Sequence, residues 1–306
     1  MTGLTEARRS RTWLWLLIGG GGFFLFLLVV FALVYVSATG GHEDGFTAFG
    51  DKIGVVDLEG VILSPKETVK ELRDFAGDDS IKAIILHINS PGGGAAASEE
   101  IYREVRRIRD QKKKRIVASI ESVGASGAYY AASGTNKIFA DNASIVGSIG
   151  VIAEWYNYGE LVRWAKLKQE LFKSGEFKDT GNPVREITPA ERQYLQGMID
   201  NIFGQFVAAV ADGRGAKVED IRSLANGKVW TGQQALPLKL IDQIGDFRAA
   251  VEDTAKAVGI KGEPNLVHAE KEKRTILDLL FGDVSDLLPT QAKLMERNPE
   301  FYFLWK

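Results

Sequence analysis

Hydrophobic positions change character along the chain. Between residues 12 and 41 no side chain is charged, and 13–36 consists mainly of Leu, Phe, Val and Trp. As a helix rising about 1.5 Å per residue, 13–36 covers about 36 Å, enough to cross a hydrocarbon core of about 30 Å. Glycines 19–22 would weaken a helix in water but are tolerated in a membrane span. From residue 53 the apolar positions form short β-branched runs. The runs 53–63, 81–89, 116–120 and 137–140 predict strands, and the segments between them carry helical spacing. In 95–110, Ile101, Val105 and Ile108 share one face and the charges take the other. A further helix is expected over 68–75. Strands alternating with helices predict parallel βαβ units and an α/β layered sheet.

After residue 178 the pattern becomes helical. Thr188-Pro-Ala-Glu191 reads as a capping box with proline at the first helical position, opening a long helix from Pro189 to about Ala211. Shorter helices are expected at 218–224, 231–236 and 247–258. The tail 270–306 carries an amphipathic stretch, 276–281, and a very apolar end, Phe301-Tyr-Phe-Leu-Trp305. That end reads as either packed on a partner or disordered, and it also resembles an apolar peptide product that could occupy a substrate groove.

Charge adds a direction to the membrane span. Arg8, Arg9 and Arg11 precede it, while His42, Glu43 and Asp44 follow, so the positive-inside bias keeps the N-terminus cytoplasmic and exports the rest. A cleaved signal peptide with its site after Ala38 is the rival reading, but its apolar region would be only about 7–15 residues long. The expected layout is a cytoplasmic N-terminus over 1–12, a signal anchor over 13–36 and a tether over 37–52. A catalytic domain over 53–260 and a tail over 261–306 follow, giving a single-pass protein of the cell membrane with an extracytoplasmic domain.

Composition narrows the chemistry. The 306 residues are 45% hydrophobic and 25% charged with a net charge of −2, which excludes a disordered chain and a strongly basic nucleic-acid binder. The basic run Lys112-Lys-Lys-Arg115 lies between a helix end and a strand and reads as a solvated turn. With no cysteine there is neither disulfide, thiolate metal site nor cysteine nucleophile, and with only His42, His87 and His268 a multi-histidine metal site is not expected. No metal or cofactor is expected. Catalysis must then rest on Ser, Thr, Lys, Asp, Glu or the backbone.

Glycine-flanked turns at two strand ends could supply it. Asn89-Ser-Pro-Gly-Gly-Gly94 leads into a helix, where successive N–H groups can hold an anion and glycine admits a substrate carbonyl. It lacks the spacing of a phosphate loop, and a plain tight turn is the simpler alternative. In Val123-Gly-Ala-Ser-Gly-Ala-Tyr-Tyr130, Ser126 sits among small residues where a strand turns into a helix, which is how a nucleophile is exposed and also how a serine caps a helix.

A serine nucleophile needs a base. His42 is in the tether, His268 in the tail, and His87 lies in a strand that reads as buried, where a satisfied core residue is the simpler reading; His87 is the one histidine rival. A lysine serves only when neutral, about 0.04% of the time at pH 7 for a free side chain. Desolvation that lowers the pKa by about 3 units raises that fraction nearly a thousandfold. Lys178, in Ser174-Gly-Glu-Phe-Lys-Asp179, neighbours glycine and an aromatic ring.

These motifs, with Gly147-Ser-Ile-Gly150 and Arg185-Glu-Ile-Thr-Pro, occur in the order found in signal peptide peptidase A, which the chain resembles from about 53 to 258. That family consists of membrane-anchored serine peptidases with a Ser-Lys dyad and the layered fold shared by crotonases and the proteolytic subunit of the Clp protease. The resemblance implies Ser126 as nucleophile, Lys178 as general base, Ser148 as the hydroxyl orienting the lysine, and the N–H groups of Gly93 and Gly127 as the oxyanion hole. It also implies a homo-oligomeric ring, an octamer in short members, with serine and lysine from neighbouring subunits, acting on remnant signal peptides. His87 stands where the family often has arginine. Other readings are a regulatory protease of membrane proteins, a non-catalytic membrane scaffold and an acyl-CoA hydratase or isomerase.

Overall fold

The computed structural model describes residues 51–269 and the backbone of 302–304. The expected span over 13–36 lies outside the described residues, as do 37–50 of the tether, His42 among them, and the stretch 276–281, while the tether's last residue, Lys52, already belongs to a strand; among the described residues no helix is long and apolar enough to cross a membrane.

In chain order the elements begin with β1 (Lys52–Ile62), α1 (Lys66–Gly77), β2 (Ile81–Gly94) and α2 (Ala95–Arg107). A π turn over Ile108–Lys112 leads to β3 (Arg115–Ala125), α3 (Gly127–Ser133), β4 (Lys137–Ala140) and β5 (Ile145–Gly147). Then come α4 (Gly159–Trp164), a 3₁₀ turn (Glu176–Asp179), α5 (Pro189–Arg214), α6 (Val218–Leu224), β6 (Val229–Thr231) and α7 (Gly232–Ala235). The last elements are β7 (Gln243–Ile244), α8 (Phe247–Ala257), β8 (Asn265–His268) and β9 (Tyr302–Leu304).

The strands run β6-β5-β3-β2-β1-β8, with β1, β2 and β3 mutually parallel and β8 parallel to β1. The sheet therefore takes in Asn265–His268, beyond the boundary expected at residue 260. β3 changes partner midway: Val117–Ile120 pairs with β4, and Val123–Ala125 pairs with β5. Gly124, paired with Ser90 of β2 on one side and Val146 of β5 on the other, brings the second glycine turn alongside the first.

Both faces of the central strands are covered, which is why 81–88 reads as an unbroken apolar run. Ile84, Leu86 and Ile88 join the larger core with Leu72, Ile101, Tyr129 and Phe206, while Ala83 and Ile85 join Phe139, Ala250 and Val251 on the other side. Each fully buried aliphatic side chain contributes about 1.5–3 kcal/mol. β2 does not stop at Asn89, where turn chemistry predicts an end. It continues through Ser-Pro-Gly-Gly-Gly because β1 pairs Val61 with Gly92 and Ile62 with Gly93. The capping box at α5 forms as expected, with the Glu191 amide donating to the Thr188 hydroxyl and the Thr188 amide to the Glu191 carboxylate.

Candidate active site

Ser126 stands between β3 and α3. Its backbone has φ +54° and ψ −118°, a region that side-chain-bearing residues rarely adopt, and the residue is 1% exposed. Surrounding structure enforces this geometry. The Ser126 amide donates to the Gly147 carbonyl at 2.7 Å, and its own carbonyl accepts from the Tyr130 amide at 2.8 Å. Two tyrosines anchor the helix that follows: the buried Tyr129 hydroxyl donates to the Leu240 carbonyl at 2.7 Å, and the Tyr130 ring stacks on Phe206 at 4.7 Å. Burial pushes both phenols up, so they stay neutral.

The two glycine turns meet here. A Cβ placed on Gly127 would lie 2.2 Å from the Ser98 hydroxyl oxygen and 3.2 Å from the Gly93 nitrogen, so the main chains of Gly127 and Gly93 are in contact. A Cβ on Gly93 would lie 2.1 Å from the Ile62 carbonyl oxygen. Only glycine fits at either place, for reasons of backbone approach. Two serines hold the Gly92–Gly94 segment in shape. The Ser90 hydroxyl donates to the Gly60 carbonyl at 2.6 Å and accepts from the Gly92 amide at 3.1 Å, and the Ser98 hydroxyl donates to the Gly94 carbonyl at 2.9 Å.

Ser148 is brought to the same place by the pairing of Ala125 with Gly147. It is buried, has φ +52°, and its amide donates to the Lys228 carbonyl at 2.8 Å. Among the described residues neither the Ser126 nor the Ser148 hydroxyl has a hydrogen-bond partner.

Lys178 is not joined to either serine. It lies exposed in the 3₁₀ turn, and its ammonium has no hydrogen-bond or ion-pair partner among the described residues. Its neighbour is held firmly instead. Arg185 donates from Nε to Asp179 Oδ2 at 2.8 Å and through its other nitrogens to both oxygens of Glu191, at 2.8 and 2.5 Å; Lys173 donates to Asp179 Oδ1 at 2.6 Å. These cations hold the Asp179 carboxyl well below its usual range, and Arg185 with the Thr188 amide draws Glu191 down to about 2. Sequence reasoning quoted Arg185 but gave it no role, and passed over Ser98; neither spacing nor residue type signals a contact made across a loop.

Within one protomer the histidine rival lies far from the serine. His87 pairs with Ser119 across β2 and β3, and Ser126 lies seven residues further on, roughly 20 Å at about 3.3 Å per residue. His87 is half-buried, with Nδ1 3.2 Å from Asp57 Oδ1 and its ring 4.7 Å from that of Phe247. His268 lies in β8 on the far side of β1, 3.6 Å from the other Asp57 oxygen.

The segment that leads to the Lys178 turn leaves large apolar side chains exposed. Trp164 is 81% exposed and Phe172 94% exposed, and Tyr156, Leu161 and Leu167 are exposed beside them in sequence. Monomeric soluble domains rarely leave so many large apolar side chains uncovered in one segment.

The model of peptidase family S49 matches residues 108–261. A Synechocystis protein provisionally named as a protease is 34% identical over 79% of this chain and 87% of its own length. An Enterococcus faecium protein provisionally named signal peptide peptidase SppA is 33% identical over 70% of this chain and 65% of its own, and protease 4 of Salmonella typhi is 30% identical over 82% and 42%. With its sheet, its glycine turns and these relatives, the chain belongs to peptidase family S49 and is a serine peptidase like signal peptide peptidase A.

Proposed function

We propose that the chain is a membrane-anchored serine endopeptidase with a Ser-Lys dyad that degrades remnant signal peptides after their release from preproteins. The observation that carries this reading is the contact of Gly93 and Gly127 beside the strained Ser126. Two backbone N–H groups next to one serine form an oxyanion pocket, and removal of one such donor typically costs about 10²–10³ in rate. Ser126 Oγ attacks the scissile carbonyl while neutral Lys178 takes its proton, and the tetrahedral oxyanion is held by the two glycine amides. Lys178 then protonates the leaving amine, and water hydrolyses the acyl-enzyme by the reverse sequence. Ser148 orients the lysine amine, the third-group role of a triad.

The lysine comes from a neighbouring copy. Three features favour this: the exposure of Lys178, the partnerless hydroxyls of Ser126 and Ser148, and the uncovered apolar surface from Tyr156 to Phe172. Burial of that surface in a homo-oligomeric ring would also desolvate the lysine and favour its neutral form. The apolar run 13–36 holds the ring on the outer face of the cell membrane, near peptides that are themselves apolar.

The test is hydrolysis of a synthetic signal peptide by the full chain in detergent. Ser126→Ala and Lys178→Ala are each expected to be inert, and mixing them to restore about a quarter of the sites by random head-to-tail association. Activity in Lys178→Ala alone would remove the dyad, and failure of mixing with each variant correctly assembled would place both residues in one subunit.

A further inference from the structure

One buried side chain touches both glycine turns. Ser98, at the end of the first turn of α2, is 0% exposed, and its hydroxyl donates to the Gly94 carbonyl at 2.9 Å. The same oxygen lies against the start of α3. A Cβ built on Gly127 would stand 2.2 Å from Ser98 Oγ and 3.1 Å from Ser98 Cβ, closer to both than to the Gly93 nitrogen at 3.2 Å. The contact is the active-site end of a seam between the two helices. Residues three and four apart share a helix face, and one turn further along each helix the rings of Tyr102 and Tyr130 lie 5.0 Å apart.

Three consecutive glycines need such a hold. Gly92 has φ +96°, and a glycine backbone restricts its own peptide planes little. β1 pairs with Gly92 and Gly93 from one side. Before Gly93, the Gly92 amide donates to the Ser90 hydroxyl; after it, the Gly94 carbonyl accepts from Ser98. Gly93 is therefore bracketed by two serine hydroxyls, and Ser98 joins that bracket to Gly127.

We infer that Ser98 is a positioning residue for peptide cleavage: its hydroxyl spaces the Gly93 turn from the Gly127 turn and so fits the pair of amides to the tetrahedral intermediate. This rests on the peptidase reading above and deepens it by naming the side chain that sets the width of the oxyanion pocket. Donors stabilise an oxyanion when they sit about 2.7–3.1 Å from the place where its charge develops. A misplacement of about 1 Å can cost about a hundredfold in rate. The ground-state carbonyl asks less of the pocket, so the effect falls on kcat and leaves KM. A serine that merely returns a hydrogen bond to the carbonyl four residues back would act on helix stability alone.

The experiment follows cleavage of a synthetic signal peptide by the full chain in detergent. Ser98→Ala is expected to lower kcat about 10–100-fold with KM within twofold. A peptide boronate, which forms a tetrahedral adduct on a nucleophilic serine, is expected to bind Ser98→Ala more weakly by the same factor. Wild-type kcat in Ser98→Ala overturns the proposal, as does a fall in kcat with boronate affinity unchanged.

The spacing itself is read without catalysis, by thermal denaturation. Gly127→Ala places a methyl group on the Ser98 oxygen and should lower the melting temperature by about 3–10 °C. In the Ser98→Ala background that oxygen is gone and the nearest atoms stand at 3.1 and 3.2 Å, so the same substitution should cost less than half as many degrees. That pattern in a protein that cleaves no peptide leaves the spacing role standing and sinks the peptidase reading alone. An equal cost of Gly127→Ala in both backgrounds shows that Ser98 does not separate the two turns, and it sinks the positioning role whatever the activity.

Discussion

Arg185 and Asp179 form the contact that ties the Lys178 turn to the start of the long helix. The guanidinium donates to the Asp179 carboxylate at 2.8 Å and to its backbone carbonyl at 3.1 Å, while the same group grips Glu191 in the capping box of α5. Lys178 is the residue before Asp179, so a guanidinium several residues away sets where its ammonium starts from. Arg185→Ala is expected to lower kcat for peptide cleavage on the order of a hundredfold, the scale of a misplacement of about 1 Å, with KM little changed. Arg185→Lys, which cannot grip both carboxylates at once, should recover only part of the loss. Wild-type kcat in Arg185→Ala would show that the clamp is structural alone.

The clamp also has a pH signature. Asp179 and Glu191 titrate lower in the folded chain than in the unfolded one, Glu191 at about 2. Groups of this kind contribute stability that is fully present above the unfolded value of about 4 and is lost as pH falls through the folded value. The difference in melting temperature between wild type and Arg185→Ala should stay constant from about pH 8 to 5 and shrink below about pH 4. A difference that grows on acidification would assign the stabilisation to other groups.

What could be read from the sequence is what is local. Strands β1 to β4 and the capping box follow from β-branched runs and a four-residue signature, and Ser126 and Ser148 lie in short motifs of small residues. Other features escaped, among them the short strands β5, β6 and β7 and the helix Gly159–Trp164. The extension of β2 through Pro91 and the glycines contradicts their turn chemistry and exists because β1 is paired alongside. β8 is too short for Leu266 and Val267 to mark it as a strand. The Arg185 clamp joins charges whose partners no periodicity identifies. The distance of His87, the remaining alternative as base, from Ser126 within the protomer follows only from strand register.

Strain at Ser126 predicts a trade between stability and activity. A side chain at φ +54° and ψ −118° costs about 1–3 kcal/mol, against about 0.5–1 kcal/mol for the extra chain entropy of glycine. Ser126→Gly should therefore remove activity and raise the melting temperature by about 2–4 °C, whereas Ser126→Ala should remove activity with no gain. A melting temperature for Ser126→Gly at or below that of Ser126→Ala would show that the backbone is unstrained.

Glycine at 93 is required by backbone and not by a movable side chain. Its added Cβ would meet the Ile62 carbonyl oxygen at 2.1 Å and the Ile62 nitrogen at 2.6 Å, whereas one on Gly77 would meet nothing within 4 Å. Gly93→Ala should cost at least about 1–3 kcal/mol and lose activity, and Gly77→Ala should be neutral or gain about 0.4–1 kcal/mol. Equal thermal denaturation curves for the two would mean that β1 yields at little cost and that the approach of β1 to Gly93 is not what selects glycine.

The exposed apolar side chains of the segment before the Lys178 turn make the last prediction, because assembly and catalysis should fail together. Trp164 and Phe172 expose most of their area on the segment that leads to the Lys178 turn, and neither supports the core. Charged substitutions there, Trp164→Asp and Phe172→Asp, should leave the fold and melting behaviour of the protomer intact while shifting light-scattering mass from oligomer to monomer. If the lysine acts across that contact, peptide turnover should fall in proportion to the oligomer lost, and an active-site fluorophosphonate should stop labelling Ser126 in the monomer fraction. Full labelling of a monomer would mean that one chain activates its own serine, and the lysine would then have to reach Ser126 by movement of the 170–185 segment within the protomer.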